Sequence, residues 1–155
     1  MESKRPCETR PRAETNDARP SPSYLVRPVG WVHSPLERTD DAPKQGFEGA
    51  PQARVEIQPE FRGGLDGLAA GQKLLILTWL HQADREVLAV HPRDDRRNPL
   101  TGVFATRSAD RPNPIGVHLV TLLAIESGGV LLVEDLEAIE GTPVLDVKPS
   151  LKSEK

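Results

Sequence analysis

The sequence predicts an all-β fold, a single barrel-like domain of about eight short strands behind a disordered N-terminal tail. Three observations lead there. Apolar residues recur with the two-residue period of strands, or in short unbroken runs of strand length. The one segment that could turn helical, Pro59 to Leu68, carries Gly63, Gly64 and Gly67 and is limited to about one turn after Pro59. A chain of 155 residues has room for one core. Many strands with almost no helix to cover their edges are best accommodated by closing the sheet on itself.

The elements follow in order. Residues 1–23 crowd Arg, Pro, Glu, Ser and Thr, with Met1 and scattered alanines as the only aliphatic residues, and read as a disordered tail. The domain is expected over residues 24–150, with 151–155 as a short C-terminal tail. Tyr24 to His33 alternates loosely and contains β-formers; Arg54 to Gln58 alternates strictly, with Val55 and Ile57 on one face. Lys73 to Leu80 is a continuous apolar run, the pattern of a strand buried on both faces. Gly116 to Ile125 and Val130 to Leu136 are joined by Ser127-Gly128-Gly129, where glycine supplies the positive φ of a tight hairpin turn. Val87 to Val90, Val103 to Thr106 and Val144 to Val147 complete the set. Between them, Pro92 to Thr101 reads as a long mobile loop carrying Arg93, Arg96, Arg97 and Asn98.

Composition excludes several classes. Cys7 is the sole cysteine and lies in the tail, so one chain can build neither a disulfide framework nor a thiolate metal site. The four histidines, His33, His81, His91 and His118, have no HExxH or His-x-His spacing, and no metal is expected. There is no signal-peptide h-region and no run long enough to span a bilayer, so a cytoplasmic location without membrane contact is expected. No Gly-x-Gly-x-x-Gly turn offers a Rossmann-type cradle. A net charge of −3 argues against coating nucleic acid by bulk attraction. The arginines nevertheless concentrate in the middle third, Arg85 to Arg111, and the stretch from Glu126 to Asp146 is acidic; either a local basic surface or a salt-bridged face fits that pattern.

The most constrained stretch is Gly102-Val103-Phe104-Ala105-Thr106-Arg107-Ser108-Ala109-Asp110-Arg111-Pro112-Asn113-Pro114-Ile115-Gly116. Each proline fixes its own φ and pushes Arg111 and Asn113 toward extended backbone, which leaves Arg107 and Arg111 as presented guanidinium groups. Such a loop suits an anion or polar ligand, although a segment of this kind standing alone is more often a structural turn with solvated arginines.

With Gly30-Trp31-Val32-His33-Ser34-Pro35, Trp79-Leu80-His81-Gln82 and Gly141-Thr142-Pro143-Val144-Leu145-Asp146-Val147-Lys148-Pro149, that stretch resembles the TsaA-like family, also called TrmO, from about Tyr24 to Pro149 and in the family's order. The resemblance implies a barrel fold, S-adenosyl-L-methionine as cofactor, and methylation of N6 of threonylcarbamoyladenosine at tRNA position 37. It implies cofactor contacts from Pro43, Lys44 and Gln45, from His81 and Gln82, from Arg107, from the backbone at Leu119, and from Glu140, Gly141, Thr142 and Pro143. Arg107 suits the methionine carboxylate, and the amides of Gln45 and Gln82 suit an adenosyl group, since an amide both donates and accepts. Arg111, Asn113 and Lys148 are the candidates for tRNA. Asp146 and His81 are the candidate bases. Two departures stand out: Glu140 replaces the family's Asp, and Ser150 replaces a Tyr, removing a surface on which a base could stack. Two readings compete with the tRNA methyltransferase: a methyltransferase with a small-molecule or other RNA acceptor, and a non-catalytic module binding an adenosyl ligand or RNA. A homodimer is expected, joined through the apolar hairpin from Val117 to Leu136.

Overall fold

In strand β2 (Ala53–Ile57) the alternation of the sequence is realised residue by residue, with Ala53, Val55 and Ile57 buried and Arg54 and Glu56 exposed. The same rule sets the inward faces of β1 (Gly30–His33), β3 (Lys73–Trp79), β6 (Ile115–Glu126), β7 (Val130–Glu134) and β8 (Pro143–Pro149). The computed structural model describes residues 22–151, so the expected tail lies, apart from its last two residues, outside the described chain. The six strands close into a barrel in the order β1-β2-β7-β6-β3-β8, every neighbouring pair antiparallel. Val32, Val55, Ile76, Val120, Leu131 and Val133 fill the interior with no exposed surface. Each such side chain contributes roughly 1.5–3 kcal/mol by leaving water.

β6 holds the barrel together because it is long enough to serve two partners. Its first seven residues pair with β3, from Ile115 opposite Trp79 to Thr121 opposite Lys73. Its remainder pairs with β7, from Thr121 opposite Glu134 to Glu126 opposite Val130, with a bulge near Ala124. The β6–β7 turn is the expected one, Gly128 and Gly129 having φ of 78° and 77°. A second bulge, at Leu145, lets β8 follow β3 past Thr78.

The structure departs from the expected elements in four places. β1 starts only at Gly30, and Tyr24, Leu25 and Val26 are exposed, because no strand runs beside them and Pro28 offers no amide hydrogen. Val103 to Thr106 is no strand: Val103–Ala105 forms a 3-10 turn, and the strand lies just before it, where β5 (Thr101–Gly102) pairs with β4 (Ala89–Val90) in a two-stranded ribbon outside the barrel. β3 is wholly buried only at Leu74, Ile76 and Thr78; Leu75, Leu77 and Trp79 are half-buried, since a closed barrel has one inside and no further layer of the described residues covers this part of its wall. The segment from Pro92 to Thr101 contains a 3-10 turn, Pro92–Asp94, and is tied down at several points. Asn98 Nδ2 donates to Pro92 O at 2.8 Å, Arg93 pairs with Glu48 at 3.0 Å, and Lys44 pairs with Asp94.

Alternating strand direction sends the connections to two ends. One end carries the β1–β2 connection (34–52), the long β3–β6 connection containing the ribbon (80–114), and the β7–β8 connection (135–142); we call it the loop end. The opposite turn end carries only the β2–β3 connection (58–72) and the hairpin turn (127–129).

Candidate active site

All three loop-end connections bring candidate residues to one mouth of the barrel. In the first, Gly46 is pressed so closely on the β7–β8 connection that a Cβ there would stand 1.9 Å from the Asp135 carbonyl oxygen. Only glycine permits that approach, and it fixes the preceding Pro43-Lys44-Gln45 segment over the mouth. The Lys44 ammonium is engaged by Asp94, whereas the half-buried Gln45 side chain has no partner among the described residues. In the second connection, His81 and Gln82 form the turn two residues past β3, both exposed and, among the described residues, both without a side-chain partner.

The third connection is more committed to its own structure. Glu140 Oε1 lies 3.1 Å from His33 Nδ1, and its Oε2 accepts from the Ser34 amide at 2.7 Å. His33 Nε2 lies 2.8 Å from Glu56 Oε2, so the imidazole bridges two carboxylates across β1 and β2. Its pKa is raised, chiefly by the Glu56 hydrogen bond and further by Glu140, against a smaller lowering from burial. Gly141 takes φ +73° and donates to Val32 O at 2.9 Å; Thr142 is buried, its hydroxyl donating to Ile139 O at 2.7 Å. Pro143 opens β8 opposite Trp31. Glu140 and Thr142 therefore shape the mouth, and the exposed edge of the turn at Gly141 is what faces outward.

The arginine loop divides in two. Arg107 is exposed and, among the described residues, has no hydrogen bond or ion pair. Arg111 is turned inward: its Nε donates to Ser108 O at 2.7 Å, and its Nη2 donates to Val103 O at 3.0 Å and Thr106 O at 2.7 Å. The expectation that both arginines are presented is corrected for Arg111, because the extended backbone imposed by Pro112 lets the loop fold back over its own guanidinium. Asn113 is exposed at the corner, its carbonyl accepting from Ile115 N at 2.8 Å.

Among the other arginines of the middle third, Arg93 and Arg97 pair with Glu48 and Asp95, and Arg85 donates to Pro112 O at 2.9 Å while lying over the Trp79 ring. Arg97 holds the Asp95 carboxyl below its usual range. The salt-bridged reading therefore describes Arg93 and Arg97 alone; Arg85 and Arg111 are held by backbone carbonyls, and Arg96 and Arg107 are left unpaired among the described residues.

Three candidates stand on the barrel wall instead. Leu119 sits within the β3–β6 ladder opposite Leu75, half-buried on the outside. Asp146 and Lys148 face outward from β8 opposite Leu77 and Leu75, and pair with each other at 2.7 Å. Asp146 thus stands opposite Leu77, four residues before His81.

A buried polar cluster beneath the mouth was not read from the sequence. His118, 4% exposed, points into the barrel from β6, its Nε2 2.8 Å from Thr78 Oγ1 on β3. Its Nδ1 lies 2.9 Å from Glu137 Oε1, but outside hydrogen-bond geometry. Gly116 makes room for the pair, since a Cβ there would come within 2.4 Å of Thr78 Oγ1 and 2.6 Å of His118 Nε2. The signal was available: His118 occupies an inward position in the alternation shared with Val120 and Leu122. Among the described residues no group of three or more His, Cys, Asp or Glu could hold a metal ion, and no helix is long and apolar enough to cross a membrane.

Comparison with known proteins shows what the chain is similar to. Residues 31–154 match the tRNA-methyltransferase O N-terminal domain. A probable S-adenosyl-L-methionine-binding protein of Methanothermobacter thermautotrophicus is 45% identical over 124 residues, 80% of this chain and 88% of the relative. One from Halobacterium salinarum is 42% identical over 125 residues, 80% of this chain and 96% of the relative. A crystal structure of TrmO from Pseudomonas aeruginosa superposes with a TM-score of 0.67 at 32% identity, covering 83% of this chain and 56% of that one. The chain thus spans a little over half the length of that solved TrmO. It belongs to the tRNA-methyltransferase O N-terminal domain family.

Proposed function

We propose that this protein is an S-adenosyl-L-methionine-dependent tRNA methyltransferase that methylates N6 of threonylcarbamoyladenosine at position 37, beside the anticodon. The observation that carries the reading is the placement, on connections at the loop end, of polar side chains that have no partner among the described residues, Gln45, His81, Gln82 and Arg107. Most other arginines of the described residues are held by carboxylates or backbone carbonyls, Arg96 apart, whereas these groups are free for a ligand. They fit the cofactor: a guanidinium for its carboxylate, and amides for its adenosyl group. The names of the Methanothermobacter and Halobacterium relatives support the same cofactor.

When bound, the cofactor supplies a sulfonium-activated methyl group, so the chain's task is positioning rather than covalent chemistry. Arg107 anchors the carboxylate, Gln45 and Gln82 orient the adenosyl group, and the backbone at Gly141 borders it. N6 of a carbamoylated adenine is amide-like and must lose a proton to become a good nucleophile. His81 is the better candidate to take it, being exposed and unpartnered at the mouth, whereas Asp146 is paired with Lys148. Asn113 and Lys148 contact the RNA. Nucleoside mass spectrometry of bulk tRNA from a deletion strain tests the reading: loss of methylated threonylcarbamoyladenosine is expected, and an unchanged profile overturns it in favour of another acceptor or a non-catalytic role.

The active form in this reading is a homodimer. The outer face of β6 and its neighbours is apolar, with Ile115, Val117 and Ile125 exposed beside the half-buried Leu119 and Leu123. A second copy would cover it and bring two sets of unpaired arginines to one RNA, whose affinity rises steeply with the number of phosphates neutralised. Sedimentation equilibrium at micromolar concentration should report a dimer; a fully active 17 kDa species would exclude it.

A further inference from the structure

We infer that Phe104 is a stacking platform for a nucleobase of the RNA substrate, held in place by Arg111; the inference rests on the tRNA methyltransferase reading. Phe104 is 85% exposed, although a phenyl ring gains nothing from water. It is not carried by a slack segment. It is the middle residue of the 3-10 turn Val103–Ala105, and both flanks of that turn are fixed. Val103 is buried, its amide donates to Leu88 O at 3.0 Å, and its carbonyl accepts from the Thr106 amide at 3.1 Å and the Thr106 hydroxyl at 3.0 Å. Arg111 Nη2 then bridges the carbonyls of Val103 and Thr106, one on each side of Phe104.

The chain thus fastens a buried anchor on one side and a charged clamp on the other, and leaves the ring between them bare. Three residues on, Arg107 is exposed and unpaired. A rigid aromatic face beside a free guanidinium is the arrangement by which proteins hold an unstacked base of single-stranded RNA, with the ring taking the base and the cation the backbone. Rigidity lowers the ordering cost of binding. The adenine of the cofactor shares the same chemistry, but cofactor sites enclose most of their ligand, and a ring this open provides one wall. The open ring therefore suits a base delivered by a macromolecule. It also fills the role left vacant at Ser150, where the family pattern has an aromatic residue.

The test uses the full chain carrying Phe104→Ala, Phe104→Leu or Phe104→Trp, and an anticodon stem-loop RNA containing threonylcarbamoyladenosine as the probe. RNA affinity should fall by about 5- to 150-fold for the Ala and Leu variants, the range of one lost base–aromatic stack, and return with Trp. Calorimetric affinity for S-adenosyl-L-methionine and the sedimentation profile should match wild type. Unchanged RNA affinity in Phe104→Ala overturns the inference, as does full rescue by Leu, which would signify plain apolar packing. A parallel loss of cofactor affinity would assign the ring to the cofactor, and a changed sedimentation profile would assign it to a protein contact. Each of these outcomes leaves the methyltransferase reading standing if wild type methylates the probe; a wild-type protein that neither binds nor methylates it removes both.

Discussion

The two ends of the barrel use the same building materials differently. At the turn end, the connections are consumed in closing the fold: Gln58 Nε2 donates to Pro28 O at 2.7 Å, Arg62 Nε to Ile57 O at 3.1 Å, and the Gly71 amide to Leu122 O at 2.7 Å. At the loop end, the connections fasten their own backbones and then have side chains to spare. Arg62 and Arg111 are alike in binding carbonyls, but among the described residues only the loop end has unpaired arginines such as Arg107. On the proposed reading, function follows from surplus: a ligand site arises where the fold's internal demands are met by some residues and neighbouring residues of the same type are left free. Cavities alone would not decide, since a cleft of about 330 Å³ lies between Gly64, Asp66, Gln72 and Pro149 at the turn end and one of about 470 Å³ between Arg85, Glu86, Leu88 and Pro112 at the loop end.

Substitutions can break this contrast, beginning with the largest effect. Arg107→Ala should weaken S-adenosyl-L-methionine binding by about 2–5 kcal/mol, the usual cost of removing one member of a desolvated charge pair, as read by calorimetric titration. The melting temperature should hardly change, because the side chain has no partner within the fold. Unchanged cofactor affinity would mean that Arg107 faces the RNA instead.

Gly46→Ala should cost about 3 kcal/mol in denaturant unfolding, the upper part of the range for overpacking, because the new methyl meets backbone that cannot swing aside. Cofactor affinity should fall with it, since the segment bearing Gln45 must lift. Gly64→Ala makes the matching change at the turn end, where a Cβ meets nothing within 4 Å and φ is not positive. There the substitution should stabilise by about 0.4–1 kcal/mol through the unfolded chain, with no effect on ligand binding. Equal responses at Gly46 and Gly64 would erase the distinction between the ends.

The smallest effect is a pH dependence. His33 has its pKa raised above 6.5 by Glu56 and Glu140, so the folded state holds this proton more tightly than the unfolded chain does. The stabilisation is fully present below pH 6.5 and is lost as pH rises through the elevated folded value. Denaturant midpoints across that window should decline in the wild type, and His33→Gln should flatten the decline. The group is half exposed, so solvent and salt keep the effect modest. An identical slope in both proteins would show that the bridge contributes nothing.

Much of the fold was legible because strand alternation is local. Val55 and Ile57 in β2, and the Ser127-Gly128-Gly129 turn, are set by residues next to one another in sequence. The limits of β1 and the 3-10 turn at Val103 were not, since they depend on whether another strand runs alongside and on a clamp from Arg111, eight residues on. For the site, residue type and motif order located His81, Gln82 and Arg107 on the connections at one mouth. They did not tell Arg107 from Arg111, because four residues of loop decide which guanidinium turns inward. Nor did they foresee that Glu140 serves His33 and Ser34, a pairing between residues more than a hundred positions apart.

The strand order carries a consequence for how the chain acquires its structure. β8 is the only strand that joins β1 to β3, and its pairing of Gly30 with Val144 links residues 114 positions apart in the chain. During synthesis the first five barrel strands can assemble only as an open sheet with two bare edges, and the ring shuts when β8 leaves the ribosome. Until then β1 and β3 are templates for pairing between chains. The nascent protein is therefore most prone to aggregate in the interval before its last strand appears, and its folding rate should be governed by that single late closure.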